Sequence, residues 1–237
     1  MTATRPARLL LPVLLLLLPS LASSKPDRCL RGDCDSGLGD FRWEDGDIYQ
    51  GEFQNGQPHG LGIYKVPSSA TPRPTKGKRR WAQLYAGEWA SGQRVGSGEL
   101  TFPGDGRGYR GQFMGGKFEG LGIQSWTGEH RKQRGYDGAF PGKFEGGFFN
   151  GVWSGAGRMT RGTDRKHPET GSTAMLVDDG VYFKGKLQKD AKGRPDESGA
   201  VAAVAAAEAA AVVADGRVEA ARAKAKEARA LPKHAEL

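Results

Sequence analysis

Residues 49–62 read YQGEFQNGQPHGLG, and three later stretches repeat the same frame. Residues 85–98 read YAGEWASGQRVGSG, residues 109–122 read YRGQFMGGKFEGLG, and residues 144–157 read FEGGFFNGVWSGAG. In each stretch an aromatic residue is followed at fixed intervals by a glycine, a second aromatic residue and three more glycines. Agreement at so many positions indicates a tandem repeat, in which each unit is one small supersecondary structure.

The first half of the frame has a period of two. Tyr49, Gly51 and Phe53 alternate with Gln50 and Glu52, and side chains that alternate in this way point to opposite faces of a β-strand. We therefore expect the aromatic residues and the glycine between them to share one face of the strand, with the polar residues on the other.

The second half of the frame predicts a turn and a return strand. Asn55 and Gly56 form a pair that accepts positive φ at low cost, as two-residue hairpin turns require. We expect Gly60 and Gly62 to begin the return strand and to leave bare backbone on which the aromatic rings pack. The repeat-structural residues predicted in this way are Tyr49, Gly51, Phe53, Gly60, Gly62, Tyr85, Gly87, Trp89, Tyr109, Gly111, Phe113, Phe144, Gly146 and Phe148.

This pattern resembles the MORN repeat family. The resemblance implies an all-β fold, an elongated single-layer antiparallel sheet of tandem β-hairpins over residues 39–187, stabilised by contacts between neighbouring units. Four full units lie near 49–66, 85–102, 109–126 and 144–160. Partial units flank them: one ends near Gly39, Trp43, Asp45 and Gly46, and a fifth that lacks its return strand begins with Asp179, Gly180, Phe183, Gly185 and Leu187.

The N-terminus has the pattern of a secretory signal peptide. Residues 1–24 contain Arg5 and Arg8, an apolar run over 9–18 and a group of small residues before position 25, which is the order of regions in a cleaved leader. The apolar run is too short for an ordinary membrane span. We expect a secreted or luminal protein. The alternative is association with a membrane through a retained N-terminal hydrophobic segment.

Residues 25–38 form a short segment around two cysteines. Cys29 and Cys34 are the protein's only cysteines, and an oxidising compartment favours a disulfide between them. Between them, residues 31–33 read Arg-Gly-Asp, which looks like an integrin-binding loop. The alternative is that the tripeptide arises by chance in a chain rich in these residues.

Basic residues are concentrated in the insertions between units. The chain carries a formal net charge of +8, and the insertions follow return strands, so we expect them at one edge of the sheet. Such an edge would attract anionic lipid headgroups, although a luminal location separates it from the anionic cytoplasmic leaflet. The alternative is that the charges only keep the sheet soluble. The candidate residues are Lys76, Lys78, Arg79, Arg80, Arg131, Lys132, Arg134, Arg165 and Lys166.

Signatures of catalysis are absent from the sequence. Residues 106–111 match the GxGxxG pattern, but Gly111 is a repeat glycine and no strand–helix–strand unit surrounds it. The four histidines stand in no arrangement that pairs a base with a nucleophile. We predict no enzymatic activity, no cofactor, no metal site, no small-molecule substrate and no nucleic-acid partner.

The C-terminal tail has the composition of a strong helix former. After a linker over 188–198, we predict an Ala-rich α-helix over 199–231, with Ser198 as N-cap and Pro232 beyond its end. Val201, Val204 and Val212 suggest a thin apolar stripe, and Gly216 is expected to fray or bend the helix. We expect this helix to lie loosely against the sheet or to project from it.

Two functions remain open from the sequence. The first is a non-enzymatic scaffold that binds another protein or a second copy of itself through the faces of the sheet. The second is peripheral binding to anionic membrane lipid, such as phosphoinositide-like headgroups, through the basic insertions.

Overall fold

The protein folds as one open antiparallel sheet of twelve strands, followed by a single helix, in a computed structural model. The structure describes residues 28–68, 81–104, 106–127, 141–166, 173–189, 194–197 and 199–233, with the side chains of 164–166 and 173–174 excepted. The strands stand in the sheet in the order in which they occur in the chain. The predicted ladder of hairpins with a C-terminal helix is therefore confirmed.

The twelve strands alternate in direction along the sheet. Their bounds are β1 Arg28–Gly32, β2 Leu38–Arg42, β3 Ile48–Gln54, β4 Gln57–Pro67, β5 Trp81–Ala90, β6 Gln93–Phe102, β7 Arg107–Met114, β8 Lys117–Trp126, β9 Gly142–Phe149, β10 Val152–Lys166, β11 Thr173–Phe183 and β12 Lys186–Leu187. Because β1 pairs with β2, the segment that holds the two cysteines belongs to the sheet.

A row of glycines crosses the sheet at right angles to the strands. Gly51 stands opposite Gly62 within the first unit, and Gly62 stands opposite Gly87 of the next. The pairing continues without interruption over eleven strands, through Gly32, Gly39, Gly51, Gly62, Gly87, Gly98, Gly111, Gly122, Gly146, Gly157 and Gly180. We call this row the glycine seam.

The two edges at which strands turn differ in the length of their connections. At one edge, which we call the turn edge, Asn55 and Gly56 have φ values of 51° and 70° and join paired residues Gln54 and Gln57. Both values are positive, as the predicted two-residue turn requires. The same turn geometry recurs at 91–92, 115–116, 150–151 and 184–185. The return strand thus begins at Gln57, directly after the turn and earlier than the sequence analysis placed it.

The helix α1, Ala200–Ala230, lies on the face of the sheet opposite the aromatic rings and contacts every strand from β1 to β11. It runs back across the sheet: Asp215 meets Arg110 on β7, and Lys224 meets Glu52 on β3. The expectation of a loose or projecting helix is therefore wrong. Its buried residues, which we call the helix stripe, are Ala200, Val204, Ala207, Ala211, Ala214, Val218, Ala221, Ala225 and Ala228.

Three details of the helix differ from the sequence analysis. Val201 and Val212 are 74% and 69% exposed. Alanine, rather than valine, supplies most of the buried residues of the helix stripe. Gly216 does not fray the helix, which is continuous through it. Gly199, in the left-handed conformation, occupies the N-cap position without a side-chain hydrogen bond, and Ser198 lies outside the described residues.

The fifth unit also differs from its prediction. It has a return strand, the two-residue β12, which pairs with Tyr182 and Phe183. The ring that packs with the other aromatic residues is that of Tyr182, which is 4% exposed, whereas Phe183 is 57% exposed. Since Gly180 belongs to the glycine seam, the frame places its aromatic residue two positions later, at Tyr182.

Candidate binding surfaces of the sheet

The aromatic side of the sheet is built from rings that lie over the glycine seam. The ring of Tyr49 covers the Gly51–Gly62 pair, where a β-carbon on Gly51 would approach the Tyr49 hydroxyl to 2.8 Å. That hydroxyl lies 2.9 Å from the carbonyl oxygen of Glu52 and 3.1 Å from that of His59, to which it donates. Burial raises the pKa of Tyr49 well above its ordinary range. His59 thus has a structural role through its backbone.

Each unit repeats the ring geometry, although Phe144 in the fourth unit carries no hydroxyl. Tyr49 and Phe53 meet edge to face with centroids 5.0 Å apart, and Tyr49 meets Trp89 of the next unit in the same way at 5.3 Å. Edge-to-face contact suits the ring quadrupoles. The pairs Tyr85–Phe113, Tyr109–Phe148 and Phe144–Tyr182 extend the contacts along the sheet. The predicted aromatic positions therefore form one continuous layer.

The predicted role of the first return-strand glycine needs correction. Gly60 has a φ of 56°, and the side chain of Glu52, rather than a ring, occupies the space where its β-carbon would stand. Gly96 and Gly120 have the same left-handed conformation, with Glu88 and Gln112 in the equivalent place. Of the two glycines predicted to receive rings on each return strand, only the second, which belongs to the glycine seam, does so.

These polar side chains form a set that the sequence analysis missed. The Glu52 carboxylate accepts a hydrogen bond from the amide of Leu61 at 2.7 Å. Glu88 accepts from the amide of Ser97 at 2.6 Å, and Gln112 accepts from that of Leu121 at 2.8 Å. The sequence feature that could have revealed these side chains is a Glu or Gln directly before the second aromatic residue of the frame. The fourth unit has Gly147 there.

Ion pairs connect the helix to the face of the sheet that it covers. Arg217 lies 3.3 Å from Glu88, and Lys224 lies 3.7 Å from Glu52. Arg110 on β7 lies 3.1 Å from Asp215. Most of these side chains are more than a third exposed, so each pair contributes little to stability. Together they fix which helix residue lies over which strand.

The cysteine segment contacts the end of the helix. The sulfur atoms of Cys29 and Cys34 lie 2.05 Å apart, at the distance of a disulfide bond. Arg31 donates from its guanidinium to the carbonyl oxygen of Leu231 at 2.8 Å, and the Asp33 carboxylate accepts from the amides of Asp35 and Ser36. Both charged side chains of the Arg-Gly-Asp tripeptide therefore have partners within the chain.

The residues predicted to bind anionic partners lie outside the described part of the chain. Residues 76–80 and 131–134 are not described, and the side chains of Arg165 and Lys166 are not described either. The strands that flank them are informative. Pro67 pairs with Trp81, Trp126 with Gly142, and Lys166 with Thr173. All three connections therefore attach at the edge opposite the turn edge, as predicted. Arg165 and Lys166, however, belong to strand β10 and not to the connection that follows it, so their predicted place in a loop is wrong.

Clefts and clustered ionisable groups are the usual places for a chemical site. A shallow cleft of about 350 Å³ lies over β6–β8 and includes Glu99, Arg107, Arg110 and Ser125 in its lining. Within the described ranges, no three His, Cys, Asp or Glu side chains gather closely enough to hold a metal ion. Of the helices in those ranges, none combines the length and apolarity needed to cross a membrane.

Comparison with known proteins identifies the repeats. The MORN repeat family model matches residues 49–70, 85–107, 109–130 and 144–163. Alsin from rat, mouse and human is 32% identical to this chain over 66 residues, which cover 28% of this chain and 4% of Alsin. The chain thus matches only a small part of the length of these curated relatives. Four units match the MORN repeat model, and their rings, glycines and turns repeat in register, so this part of the chain is built of MORN repeats.

Proposed function

We propose that this protein is a non-enzymatic scaffold of the secretory pathway that binds another protein or a second copy of itself. MORN repeats are generally non-catalytic modules that bind proteins or membranes. The observation that carries the proposal is the aromatic side of the sheet, because the helix lies on the other face. Partly buried rings border the buried layer on this side, and they are Phe41, Trp43, Tyr64, Phe102, Phe118 and Trp126.

Such rings suit a protein interface. Trp43 packs edge to face on Phe41 and Tyr64, with centroids 4.8 and 5.6 Å away, so its position is fixed before a partner arrives. A rigid aromatic side chain loses little conformational entropy on binding, and aromatic residues are enriched among the residues that dominate interface energies.

The secretory location is supported by the cysteine pair. A disulfide persists in an oxidising compartment and is rare in the cytosol, and Cys29 and Cys34 lie at disulfide distance. The leader-like pattern of residues 1–24 agrees with this location.

The location can be tested at the first turn. Asn55 and Gln57 are both exposed there, and Gln57→Thr creates an Asn-Gly-Thr acceptor for N-glycosylation. Expressed in cells, this variant should gain a glycan that endoglycosidase removes, and the wild type should not. A Gln57→Ala variant is the matched control. If Gln57→Thr stays unmodified while a known secreted reporter is glycosylated, the secretory location is wrong.

Partner binding can be tested by proximity labelling with a peroxidase fused to the chain. We expect Trp43→Ala to lose neighbours that the wild type labels. Phe183→Ala removes an exposed aromatic residue from the turn edge, away from the aromatic side, and should keep those neighbours. Identical labelling by wild type and Trp43→Ala would contradict binding through the aromatic side.

A second candidate function is binding to anionic membrane lipid. The observation that favours it is the attachment of the two connections after β4 and β8, which carry seven of the nine candidate residues, to one edge of the sheet, because their positive potentials then add. We expect the protein to co-sediment with vesicles that contain phosphatidylinositol phosphates, and less so as salt rises. Joint replacement of Lys76, Lys78, Arg79 and Arg80 by Ala should weaken this binding. Replacing Lys117, Lys184 and Lys186 at the turn edge should not, and equal losses would argue against the candidate.

A further inference from the structure

The residues directly before the two-residue turns become apolar towards the C-terminal end of the sheet. In the first two hairpins these positions hold Gln54 and Ala90. In the next three hairpins they hold Met114, Phe149 and Phe183. These last three side chains are 63%, 63% and 57% exposed. We call these three residues the apolar ridge.

The apolar ridge lies on the face of the sheet that α1 covers. Each ridge residue directly follows a buried ring of the aromatic side, and these rings are Phe113, Phe148 and Tyr182. Successive side chains of a strand point to opposite faces, and neighbouring strands are about 4.8 Å apart. Since the ridge residues stand on every second strand, they follow one another at about 10 Å. Val152, which pairs with Phe149, is 44% exposed and widens the ridge.

The side of α1 that faces the turn edge is uncharged beside the ridge. Arg217 and Lys224 mark this side of the helix, because their partners Glu88 and Glu52 lie between the glycine seam and the turn edge. Residues three, four or seven positions apart share one side of a helix. Counted back from Arg217, the same side carries only small or apolar residues, which are Val213, Ala210, Ala206 and Ala203. A groove with apolar walls therefore runs between α1 and the ridge.

The floor of this groove is open at the fourth unit. In each of the first three units a Glu or Gln side chain fills the place beside the first return-strand glycine, as Glu52 does at Gly60. In the fourth unit Gly147 stands at this Glu position, and no atom of the described residues lies within 4 Å of the place of a β-carbon on Gly155. The fourth unit thus leaves room that the chain's own side chains fill in the other units.

The charges beside the ridge are mostly positive. The eight residues centred on each of the three turns include three lysines and one glutamate, which are Lys117, Lys184, Lys186 and Glu119. Lys117 and Lys186 stand directly opposite ridge residues. The Lys184 ammonium lies 5.3 Å from the centre of the Phe183 ring. An apolar surface bordered by lysines is complementary to a partner that is both apolar and acidic.

We propose that the groove between α1 and the apolar ridge binds an amphipathic helix of another protein, apolar on one side and acidic along its margins. Residues seven positions apart in a helix are about 10.5 Å apart along its axis, close to the spacing of the ridge. A helix of about four turns, laid across the strands beside α1, therefore places one apolar residue on each ridge residue. Its acidic margin meets Lys117 and Lys186.

The groove adds a second binding surface to the proposed scaffold and does not depend on the first. The aromatic side lies on the opposite face of the sheet, so one chain would hold two different proteins at the same time. A second copy of this chain suits the groove poorly, because a two-fold contact places the same patch on both partners. The lysines of the two ridges would then oppose each other.

Binding can be tested with the purified protein and a fluorescent synthetic peptide of three heptads. The peptide has leucine at the first and fourth positions of each heptad and glutamate or alanine elsewhere. We expect it to bind, as measured by fluorescence anisotropy, and a peptide with lysine in place of glutamate not to bind. Phe149→Ser should weaken the binding by about tenfold or more. Val201→Ser, which changes a more exposed apolar residue on another side of α1, should leave it unchanged.

The position of the bound peptide can be tested by a charge exchange and a cross-link. The joint change of Lys117→Glu and Lys186→Glu should abolish binding of the acidic peptide and permit binding of the lysine peptide. A photoactivatable leucine analogue in the acidic peptide should label the segments around Met114 and Phe149, as located by mass spectrometry. It should not label the aromatic side around Trp43.

Several outcomes would overturn the proposed groove. They are the absence of binding by the acidic peptide, equal binding by wild type and Phe149→Ser, and cross-links away from the ridge. Co-sedimentation with phosphatidylserine vesicles that Phe149→Ser abolishes would show instead that the ridge enters a membrane, and would also overturn it. Partner labelling that depends on Trp43 reports separately on the aromatic side, so the scaffold proposal fails or holds independently.

Discussion

The ring of Tyr49 lies against the α-carbon of Gly62, so close that a β-carbon on Gly62 would come within 2.6 Å of the ring carbon Cε2. Both partners are fixed. The Tyr49 hydroxyl is bonded to backbone carbonyl oxygens, and Gly62 is paired in the sheet on both sides. The fit of ring to backbone therefore depends on glycine.

Gly62→Ala is expected to destabilise the protein by about 2–3 kcal/mol, because overpacking forces the ring or the strand to move. Denaturant unfolding followed by tryptophan fluorescence measures the change. We expect a lower midpoint and weaker near-ultraviolet circular dichroism, since the ring layer loses its order.

Gly216→Ala is the matched control for this substitution. A β-carbon on Gly216 meets nothing within 4 Å, and alanine favours a helix over glycine by about 1 kcal/mol. The same glycine-to-alanine change should therefore stabilise the protein there. A similar loss of stability at both positions would contradict the close fit between ring and seam.

The helix stripe gives a second prediction. Ala221 is fully buried and packs in a cluster with Ala86 on β5 and Val218. Ala221→Leu should separate the helix from the sheet and lower the free energy of unfolding by about 1–3 kcal/mol. Ala223→Leu, on the exposed side of the same helix, should change it by less than about 0.5 kcal/mol. Chemical denaturation of both variants measures the difference, and equal effects would show that the helix does not pack on the sheet.

The backbone hydrogen bond of Glu88 gives a third prediction. Glu88→Ala leaves the amide of Ser97 without its acceptor and should cost about 1–3 kcal/mol. Glu88→Gln keeps an acceptor, as Gln112 does in the third unit, and loses only the partly exposed pair with Arg217. It should cost under about 1 kcal/mol. Equal destabilisation of the two variants would show that Glu88 stabilises the protein through its charge and not through its hydrogen bond to Ser97.

How much of these sites the sequence predicts depends on the residue. Tyr49 and Gly62 were predicted from period and spacing alone, because ring and glycine recur at fixed intervals. The contact of Glu88 with Ser97 was not predicted, because nine residues separate the two and only the hairpin register brings them together. The helix stripe was missed because alanine occurs on all sides of α1, and only burial distinguishes Ala221 from Ala223.

The tyrosines give a prediction for alkaline pH. Burial is the first cause that raises the pKa of Tyr49, Tyr64, Tyr85, Tyr109 and Tyr182 well above the ordinary value of about 10. In the unfolded chain these side chains ionise at that ordinary value. The folded state is therefore destabilised as pH rises above about 10. Below that pH the stabilisation that comes from the buried, neutral tyrosines is fully present.

Absorbance at alkaline pH measures this directly. Five of the six tyrosines have raised pKa values, so at most one should ionise near pH 10 while the protein stays folded. The others should ionise together with unfolding, seen by circular dichroism. Reversible ionisation of most tyrosines near pH 10 in the folded protein would contradict the buried ring layer.

The spacing of the helix stripe also limits how the number of repeat units in such a chain can change. Successive stripe residues are three or four positions apart, so at ~1.5 Å per residue they are spaced by about 5 Å, close to the ~4.8 Å between strands. Each repeat unit adds two strands, and two strands correspond to one heptad of helix. Repeat number and tail length are therefore commensurate. A duplication or loss of one unit would leave the helix about seven residues too short or too long, so the two parts of the gene would have to change together.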